Sequence, residues 1–393
     1  MQDWFQKERM RVRMKKLLYI THLSGKRVNR FWISAIKAAQ GLGFEFHLAC
    51  NMEEAEHPGW EEDCIAWQIK PHHIDFDRNP LSMVNIRAKK QLKELIEKEH
   101  FDIVHCNTPV GGLLGRICAY KSVPSIIYQA HGFHFWKGAP IRNWLIYYPV
   151  EKWLAKKTNV LITINKEDSE TAKIRIKAKE TAYVPGVGVD TELFRKKNRD
   201  LEDKRNELGL NESDFVILSV GELIRRKNHA VVLEALGEMK KTGQLENTQF
   251  IICGQGILEE ALKKRTVELG IAEHVRFLGY RKDINEIYSV SDLFVFPSLQ
   301  EGLPVAVMEA MASGTPVICS NIRGNNDLIE NNRNGEFADN DPESVKRAII
   351  RMRGDRYLRE KYAEAAAVTV KQFDISVAEE RLREIYSREC AEQ

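Results

Sequence analysis

The chain has 393 residues, of which 43% are hydrophobic and 29% are charged, and its formal net charge is +3. A chain of this length exceeds what a single hydrophobic core usually spans. It is typical of two domains of roughly 150 to 200 residues each. The sequence has no low-complexity tract and no apolar run near about 20 residues, which excludes a largely disordered protein and argues against a membrane-spanning helix.

The N-terminal segment and the cysteines indicate where the protein works. Residues 1–16 are polar and basic and lack the apolar stretch of a secretory signal, so secretion is not expected. Seven cysteines are scattered along the chain, without a CxxC pair and without histidines at zinc-binding spacing. They are therefore predicted to be reduced core residues of a cytoplasmic protein.

The net charge conceals an asymmetry between the two halves of the chain. Residues 1–190 hold 29 Lys and Arg against 21 Asp and Glu, whereas the remainder holds 30 against 35. A basic first half fits contact with an anionic membrane or a phosphorylated substrate, because each cation near such a surface contributes on the order of 1 kcal/mol. A solvated basic face explains the same count equally well, and the sequence leaves both interpretations open.

In the first half, short apolar strands alternate with longer amphipathic helices. The series begins with the strand LLYITHLS, the helix FWISAIKAAQGLG, the strand FEFHLAC, the helix AKKQLKELIEKEH and the strand FDIVHCN. It continues with the Gly-rich segment PVGGLLGRICAY, the strand PSIIYQAHG, the helix IRNWLIYYPVEKWLAKK and the strands NVLITIN and AYVPGVGVD. Repeated strand–helix–strand units predict an α/β domain with a doubly wound parallel sheet.

The segment from Leu193 to Asp214 is charge-rich and has no strand pattern, which is typical of a connection between domains. A second alternating series follows, from FVILSVG to PVICS. The sequence thus predicts two Rossmann-like domains facing each other across a cleft, at 1–192 and 193–375, and a helix over 376–393. Whether that helix crosses back to the first domain is left open. Ligands of open parallel sheets bind beyond the carboxyl ends of the strands, so the reactive site is expected in the cleft.

The most informative segment is DLFVFPSLQEGLPVAVMEAMASGTPVICS, which runs from Asp292 to Ser320. It predicts a strand, a loop, a helix and a second strand. Pro304 suits the first turn of the helix, where its missing N–H is not needed, and Gly314 suits the position just after the helix end. Both boundaries of the helix are therefore chemically marked.

The start of this helix is a candidate anion site, because it presents unpaired backbone N–H groups and a partial positive charge. A diphosphate is expected above Gly302 and Leu303, where the glycine allows a phosphate to approach closely. Glu301 can accept hydrogen bonds from sugar hydroxyls, and Glu309, on the helix, can reach a ribose diol. Two glutamates at this spacing also occur by chance, as a loop carboxylate and an exposed helical residue.

The segment from Asp292 to Ser320 as a whole is more specific than its two glutamates alone. With its Phe-Pro-Ser strand end, its Glu-Gly-Leu-Pro loop and its Glu-Ala-Met-Ala-Ser-Gly continuation, the segment resembles the retaining glycosyltransferases of family 4, which have the two-domain GT-B fold. Further segments follow in the order of that family: LSGKR, AHG, PGVGVD, VGELIRRKNH and CGQG. YQAHGFHFWKGAP and NWLIYYPVEKWLAKKTNVLITIN look particularly like the bacterial branch that builds capsules, exopolysaccharides and O-antigens.

The resemblance implies roles for a basic segment. Lys227, at the end of GELIRRK, would pair with the donor diphosphate and stabilise the leaving group, with Arg226 as a neighbouring candidate. A basic helix start is the structural alternative. Gly221 would border the donor, but many members of the family carry arginine at the next position, where this chain has Glu222. Arg225, Arg226 or an arginine from elsewhere is therefore expected to complete the cationic site.

The resemblance also implies roles for a histidine and several glycines. His131 follows the strand PSIIYQA and would contact the donor sugar near the reacting carbon, orienting it or sharing a proton. Taken alone, such a histidine is more often structural. Gly25 would let the backbone approach the donor phosphate or the acceptor, and Gly254, after QFIIC, would help to cradle the nucleotide. Ordinary tight turns explain these glycines nearly as well.

The reaction implied by the resemblance is transfer with retention of configuration, in which the leaving phosphate helps to deprotonate the acceptor hydroxyl. No protein base is assigned, and neither a cofactor nor a metal is expected. Asp75-Phe76-Asp77 and Asp339-Asn340-Asp341 match the DxD pattern of metal-dependent glycosyltransferases, but neither follows a clear strand near the other motifs. Both are interpreted as chance matches.

The substrates implied are a nucleotide diphosphate sugar, expected to be a UDP-linked hexose or N-acetylhexosamine, and a polyprenyl-diphosphate-linked or other glycan acceptor. IRNWLIYYPVEKWLAKK mixes aromatic and basic residues, which suits peripheral contact with the inner membrane leaflet, although a buried amphipathic helix explains it as well. A nucleotide-sugar epimerase or hydrolase and a non-catalytic scaffold are the alternative functions. Nucleic-acid binding is not expected, because the basic residues are dispersed.

Overall fold

The computed structural model describes residues 13–23, 27–28, 30–53, 58–195 and 201–391. Contacts between Cα atoms divide the chain into two compact units. The first comprises 1–184 with 379–393, and the second comprises 185–378.

The first unit is built on a seven-stranded sheet with the order β3-β2-β1-β4-β5-β6-β7, in which all neighbouring strands are parallel. Its strands are β1 Lys16–Leu23, β2 Glu45–Asn51, β3 Ile69–His73, β4 Ile103–Asn107, β5 Ser125–Ala130, β6 Val160–Thr163 and β7 Glu180–Tyr183. Its helices are α1 Arg30–Gly41, α2 Pro58–Ala66, α3 Val84–Glu99, α4 Pro109–Ala119, α5 Ile141–Ala155 and α6 Lys166–Thr171, with a π-helical turn at Ala172–Ile176.

The second unit repeats the design with a six-stranded parallel sheet of order β10-β9-β8-β11-β12-β13. Its strands are β8 Phe215–Val220, β9 Thr248–Cys253, β10 Val275–Gly279, β11 Leu293–Phe296, β12 Val317–Cys319 and β13 Glu336–Phe337. Its α-helices are α7 Thr191–Phe194, α8 Leu201–Glu207, α9 His229–Lys241, α10 Glu259–Glu268, α11 Ile284–Ser289, α12 Val305–Ser313, α13 Asn325–Leu328, α14 Pro342–Gly354 and α15 Arg356–Thr369. Three short 3-10 helices lie at Arg225–Lys227, Ala272–His274 and Val370–Phe373.

The central strands of both sheets are buried, because helices cover both faces of a doubly wound parallel sheet. Strands β4, β5 and β6 are buried along their whole length, and so is β11. In each sheet, the strand order reverses beside the first strand, between β1 and β4 and between β8 and β11. Side chains that can meet a ligand are therefore expected beyond the strand ends, at the points where the strand order reverses.

Some elements were not expected from the sequence. Strand β3, with the sequence IKPHH, lies at a sheet edge and is mostly exposed, so it carries no apolar run. Asp75 of the first DxD match lies two residues after this strand and is bonded to His73 and Arg87. A strand therefore does precede this match, at the edge of the sheet, and the interpretation of the match as a chance occurrence stays a prediction. Strand β13 has only two residues, too few for a pattern.

The boundary between the units lies at 184/185, earlier than the predicted 192/193. The intervening segment pairs with the end of the second unit, since Val189 N donates to Phe373 O and Ile375 N donates to Val189 O. Phe194 packs edge-on against Tyr288, with 5.8 Å between ring centroids. The charge-rich segment that suggested the later boundary includes α8, which has no buried residue.

The C-terminal helix α16, Ile375–Ala391, contains the second boundary, at 378/379. Its later residues complete the first unit. His105 Nδ1 lies 2.6 Å from Tyr386 Oη, and Ser125 Oγ donates to the carboxylate of Glu389. The last turns of the chain are thus part of the core built by β4 and β5.

All seven cysteines are free thiols, and six of them are buried. Among the described residues, no helix has both the length and the apolar character needed to cross a bilayer.

The buried guanidinium of Arg116 links helix α4 to helix α5 in the first unit. Its side chain is 1% exposed, and it pairs with both carboxylate oxygens of Glu151 on α5, at 2.9 and 3.1 Å. The guanidinium carbon lies 3.7 Å from the centre of the Tyr128 ring, and Nε donates to Gly112 O. Burial without these partners would be strongly unfavourable for a charged group.

We expect Arg116→Ala to lower the free energy of unfolding of the first unit by about 3–5 kcal/mol, because it leaves the Glu151 carboxylate without its buried partner. Urea unfolding followed by circular dichroism measures this change. Lys93→Ala is the control, since Lys93 forms an exposed pair with Glu97 on α3 and should cost less than about 0.5 kcal/mol. Equal effects of the two substitutions would contradict the interpretation.

Candidate active site

Two loops of the second unit meet at the reversal point of its sheet. One loop follows β8 and ends in the 3-10 turn Arg225–Lys227, and the other follows β11 and leads into α12. They are neighbours because β8 and β11 pair directly, with Leu293 opposite Ile217. The topology thus brings together two segments that are about 70 residues apart in sequence.

Glu301 is the centre of this region. Its Oε1 accepts hydrogen bonds from Ser298 Oγ at 2.6 Å, Lys227 Nζ at 2.7 Å and Arg226 Nη1 at 2.9 Å. The residue is 8% exposed, and no described residue bonds its other oxygen, Oε2. One side of the carboxylate is therefore saturated by donors, while the other can still accept hydrogen bonds from a ligand.

The electrostatics of the site are set by burial and by this carboxylate. Burial lowers the pKa of Lys227 Nζ, and the attraction of Glu301 opposes part of that shift. Lys227 Nζ also lies 4.7 Å from the centre of the Phe296 ring, a favourable position for a cation. One carboxylate and two cations leave a formal excess of one positive charge, which suits an anionic ligand.

The cation beside Lys227 is Arg226, whose Nη1 also donates to Gln300 O at 2.8 Å. Glu222, at the position where the resemblance led us to look for arginine, is exposed. A third cation, Arg323, is buried and donates from Nε to the backbone oxygen of Glu301 at 3.1 Å. Arg226 is therefore the second cation, beside Lys227, that contacts the Glu301 carboxylate.

Helix α12 begins at Val305, one residue later than predicted. Pro304 is the N-cap residue, with φ −77° and ψ 117°, and does not lie inside the first turn. Its extended conformation turns the chain into the helix, whose first N–H groups have no partner within the helix. Gly314 ends the helix with φ 71°, as expected for a C-terminal glycine.

The residues before α12 are packed by a close backbone contact. Leu303 is buried and Gly302 is half-buried. Gly324 has φ +83°, and a Cβ there would stand 2.4 Å from Gly302 O. Only a glycine at 324 lets the two segments approach this closely, so the loop before the helix is held by the backbone that follows β12.

Glu309 is not an exposed helical residue, as it would be if the spacing of the two glutamates were accidental. It is 1% exposed, and Tyr288 Oη donates to its Oε2 at 3.3 Å. The same hydroxyl lies 2.9 Å from Ala306 O. The carboxylate is therefore held within the packing of α12, and its contact with a ribose diol stays a prediction.

The glycines after β8 and β9 pack backbone against backbone. Gly254 has φ +150°, and a Cβ there would lie 1.9 Å from Gly221 O. Gly221 N donates to Cys253 O, and Gly254 N donates to Gly279 O. This contact explains Gly254 without a ligand, so its nucleotide role stays a prediction. Gly221 lies under Lys227, whose side chain a Cβ at 221 would approach to 3.4 Å.

His131 belongs to the first unit. His131 follows β5, and its Nε2 lies 3.0 Å from Asn107 Oδ1. Burial lowers the pKa of His131 to about 4, so the ring is neutral at pH 7. Gly25 lies outside the described residues. Of the predicted set, the structure therefore gathers Glu301, Lys227 and Arg226 directly, with the start of α12 beside them.

Sequence reasoning missed two side chains at the site. Ser298 ends the Phe-Pro-Ser phrase, and its position three residues before Glu301 on a strand end was a signal that could have been used. Arg323 lies beyond β12 in a segment without any motif, so no local pattern indicated it. Both depend on contacts between segments that the sequence separates.

Among the residues that the structure describes, no group of three or more His, Cys, Asp or Glu side chains could hold a metal ion. Asp341 of the second DxD match caps α14, since its Oδ1 accepts a hydrogen bond from Ser344 N at 2.9 Å. This aspartate therefore has a structural role.

The chain matches known families over most of its length. Residues 200–369 match “Glycosyl transferases group 1”, and residues 16–165 match “Glycosyl transferase 4-like”. The chain is 33% identical over 363 residues to EpsD of Bacillus subtilis (strain 168), whose name assigns it to the glycosyltransferases, covering 91% of this chain and 92% of that protein. It is 32% identical over 369 residues to a UDP-Gal:alpha-D-GlcNAc-diphosphoundecaprenol alpha-1,3-galactosyltransferase of Escherichia coli, covering 93% and 94%.

Solved structures share the fold. Anabaena HepE, in complex with UDP and glucose, has a TM-score of 0.78 at 20% identity, covering 95% of this chain and all 100% of that one. Sucrose-phosphate synthase from Thermosynechococcus elongatus has a TM-score of 0.78 at 17% identity, covering 96% and 100%. These likenesses confirm the predicted α/β fold class, GT-B with two parallel-sheet Rossmann-like domains.

The partners of Lys227 predict two shifts of opposite sign in its pKa. Glu301→Gln should lower the pKa of Lys227 further, because it removes the attraction that favours the ammonium form. Arg226→Ala should raise it, because the arginine is a like charge that disfavours that form. Titration of the Lys227 side chain by NMR measures both, and shifts of the same sign would contradict the geometry.

Proposed function

The chain belongs to glycosyltransferase family 4, in its bacterial exopolysaccharide branch, and we propose that it transfers a hexose or N-acetylhexosamine from a UDP-linked donor to a lipid-linked glycan with retention of configuration. The observation that carries this proposal is the convergence of Lys227, Arg226 and Ser298 on one oxygen of Glu301, next to the start of α12. It offers positive charge for a diphosphate and a carboxylate oxygen for sugar hydroxyls.

The relatives support the choice of substrates. The Escherichia coli galactosyltransferase uses UDP-Gal and an undecaprenyl-diphosphate-linked GlcNAc, as its name states, and HepE was solved with UDP and glucose. A donor with a uridine diphosphate and an acceptor on a polyprenyl diphosphate are therefore the substrates we propose for this chain. Glu309 is proposed to bind the ribose, and Gly221, Gly254 and the Gly302–Pro304 segment to border the nucleotide.

In the proposed reaction, the bond between the anomeric carbon and the diphosphate oxygen breaks while the acceptor oxygen bonds to the same face of the sugar. The acceptor proton passes to the leaving phosphate, so the products are UDP and the extended glycan. Lys227 and Arg226 neutralise the charge that develops on the diphosphate, which is the largest demand of such a transition state. We propose that these cations make a divalent metal unnecessary.

The acceptor side of the proposal rests on helix α5, whose outer face combines apolar and basic side chains. Ile141 is 78% exposed and Leu145 is 71% exposed, and Ile146 and Trp153 are exposed as well. Ile141 and Leu145 lie four residues apart and share one side of the helix, whereas Ile146 and Trp153 lie seven apart and share the neighbouring side. Apolar groups of this size on a free surface are typical of an interaction site.

The charges on α5 fit an anionic membrane. Arg142, Lys152 and Lys156 are exposed, whereas the helix's one acidic residue, Glu151, is engaged by the buried Arg116. Exposed basic residues interspersed with apolar and aromatic side chains are typical of helices lying in the membrane interface. We propose that the exposed surface of α5 docks on the cytoplasmic leaflet, where a polyprenyl-linked acceptor is found, as a peripheral contact.

We expect Lys227→Ala and Glu301→Ala each to lower kcat/KM for acceptor-dependent UDP release by about 10²–10³-fold, because each removes a group that contacts the diphosphate or the sugar. The assay uses a panel of nucleotide sugars with polyprenyl-diphosphate acceptors in the presence of EDTA. Lys204→Ala is the matched control, since Lys204 and Lys227 are both 14% exposed and both pair with carboxylates. It should change kcat/KM by less than about threefold, as expected for a residue outside the site.

Each other outcome of this assay has a defined meaning. UDP release that does not depend on an acceptor would favour an epimerase or hydrolase and contradict transfer. Loss of release with EDTA, restored by a divalent ion, would contradict metal independence. No release with any donor would contradict the proposed substrates.

We expect Leu145→Glu to weaken binding to vesicles containing phosphatidylglycerol at least about tenfold, because burying a leucine is worth about 1.5–3 kcal/mol. Ile65→Glu is the control, since Ile65 is also 78% exposed in the first unit but follows acidic residues of α2. Lys152→Ala with Lys156→Ala should weaken binding mainly at low salt. Equal binding of all variants in a flotation assay would contradict docking through α5.

A further inference from the structure

Asn107 and His131 form a hydrogen bond between the carboxyl ends of two adjacent strands. Asn107 is the last residue of β4, and His131 follows β5 directly. The strands are in register with Asn107 opposite Gln129, and His131 Nε2 lies 3.0 Å from Asn107 Oδ1. Asn107 is 2% exposed, so no solvent competes for this oxygen.

The partner atom determines the state of the imidazole ring. A neutral imidazole carries one proton, on either Nδ1 or Nε2, and an amide oxygen can only accept a hydrogen bond. Nε2 of His131 must therefore carry the proton, which leaves a lone pair on Nδ1. No described residue bonds Nδ1. The ring is half-buried, and Phe31 packs edge-on against it at 6.1 Å, which helps to fix its plane.

Among the described residues, none places an opposite charge beside His131. The described ionisable group that interacts with it from a neighbouring element is His105 of β4. Burial lowers the pKa of His105 to about 3, and its Nδ1 is bonded to Tyr386 Oη, so that ring is also neutral. The charge of His131 is therefore governed by its burial and by the residue at position 107.

We infer that Asn107 is a positioning residue that holds His131 as the Nε2–H tautomer, so that Nδ1 accepts a hydrogen bond from a hydroxyl of the sugar substrate. The inference rests on the proposed function for the identity of the substrate. It assigns His131 the role of acceptor and gives Asn107 a place in the reaction without direct contact to the reacting atoms. In this orientation of the amide, Asn107 Nδ2 is buried and has no partner among the described residues.

The direct test is the tautomer itself. Nitrogen NMR of the protein with labelled histidine, without substrate, distinguishes protonated from unprotonated ring nitrogens. We expect Nε2–H for His131 in the wild type at pH 7 and a mixture of tautomers in Asn107→Ala. A wild-type Nδ1–H tautomer, which would mean that Asn107 Nδ2 donates to Nε2, overturns the inference. This readout needs no turnover, so it stands apart from any failure of the proposed function.

The second test uses the pH dependence of kcat/KM. Asn107→Asp keeps an acceptor for Nε2–H but adds a negative charge, which should raise the pKa of His131, whereas burial holds it near 4 in the wild type. Imidazolium has no lone pair on Nδ1, so activity should fall as pH is lowered through the raised pKa. If that pKa reaches about 6.5, kcat/KM at pH 5.5 should be about tenfold below its value at pH 8.

Two variants separate positioning from a general loss of structure. Asn51→Asp places a carboxylate at the buried end of β2, where Asn51 bonds Phe76 O and Glu53 N, and should leave the pH profile unchanged. Asn107→Ala should lower kcat a few-fold at pH 8, because only part of the population keeps the competent tautomer, whereas Asn107→Asp should retain most of the activity there. The same acid limb in Asn51→Asp and Asn107→Asp, or no limb in either, would overturn the inference.

Discussion

The carboxylate of Glu301 is the group on which the polar residues of the second unit depend. A serine, a lysine and an arginine reach one of its oxygens from two different loops. A buried carboxylate without partners would cost several kcal/mol, so this arrangement is stable only while the loops keep their spacing. Gly254 and Gly324 maintain that spacing, because each lets a neighbouring backbone pass where a side chain would otherwise stand. Loop packing and site charge are therefore parts of the same constraint.

In both units, polar residues gather at the same place relative to the sheet. Both faces of their central strands are covered by helices, so the side chains that can meet a ligand gather beyond the strand ends. In the second unit this gathers Lys227 and Glu301 beyond β8 and β11. In the first unit it brings Asn107 and His131 together beyond β4 and β5. The two groups differ in charge. Asn107 and His131 are neutral, whereas the cluster around Glu301 carries a net positive charge.

The sequence predicted what depends on local pattern and periodicity. Strand–helix alternation predicted both sheets, and proline and glycine marked the ends of α12 to within one residue. What it missed depends on distant contacts or on exposed, irregular segments. Edge strand β3 has no apolar run, Arg323 meets Glu301 through tertiary packing, and the first unit boundary follows from backbone pairing of Val189 with a segment near the C-terminus. Helices α14 and α15 lie beyond the last strand motif and were not predicted.

The C-terminal helix has a consequence for how the molecule is made. Its last turns supply Tyr386 and Glu389 to the first unit, where they meet His105 and Ser125 across 281 and 264 residues of sequence. Domains generally fold as they leave the ribosome, the N-terminal one first. Here the N-terminal sheet can collapse early, but its core cannot close until the second unit has been synthesised, because Tyr386 and Glu389 follow that unit in sequence. The second unit, although it follows in sequence, can be completed before the first.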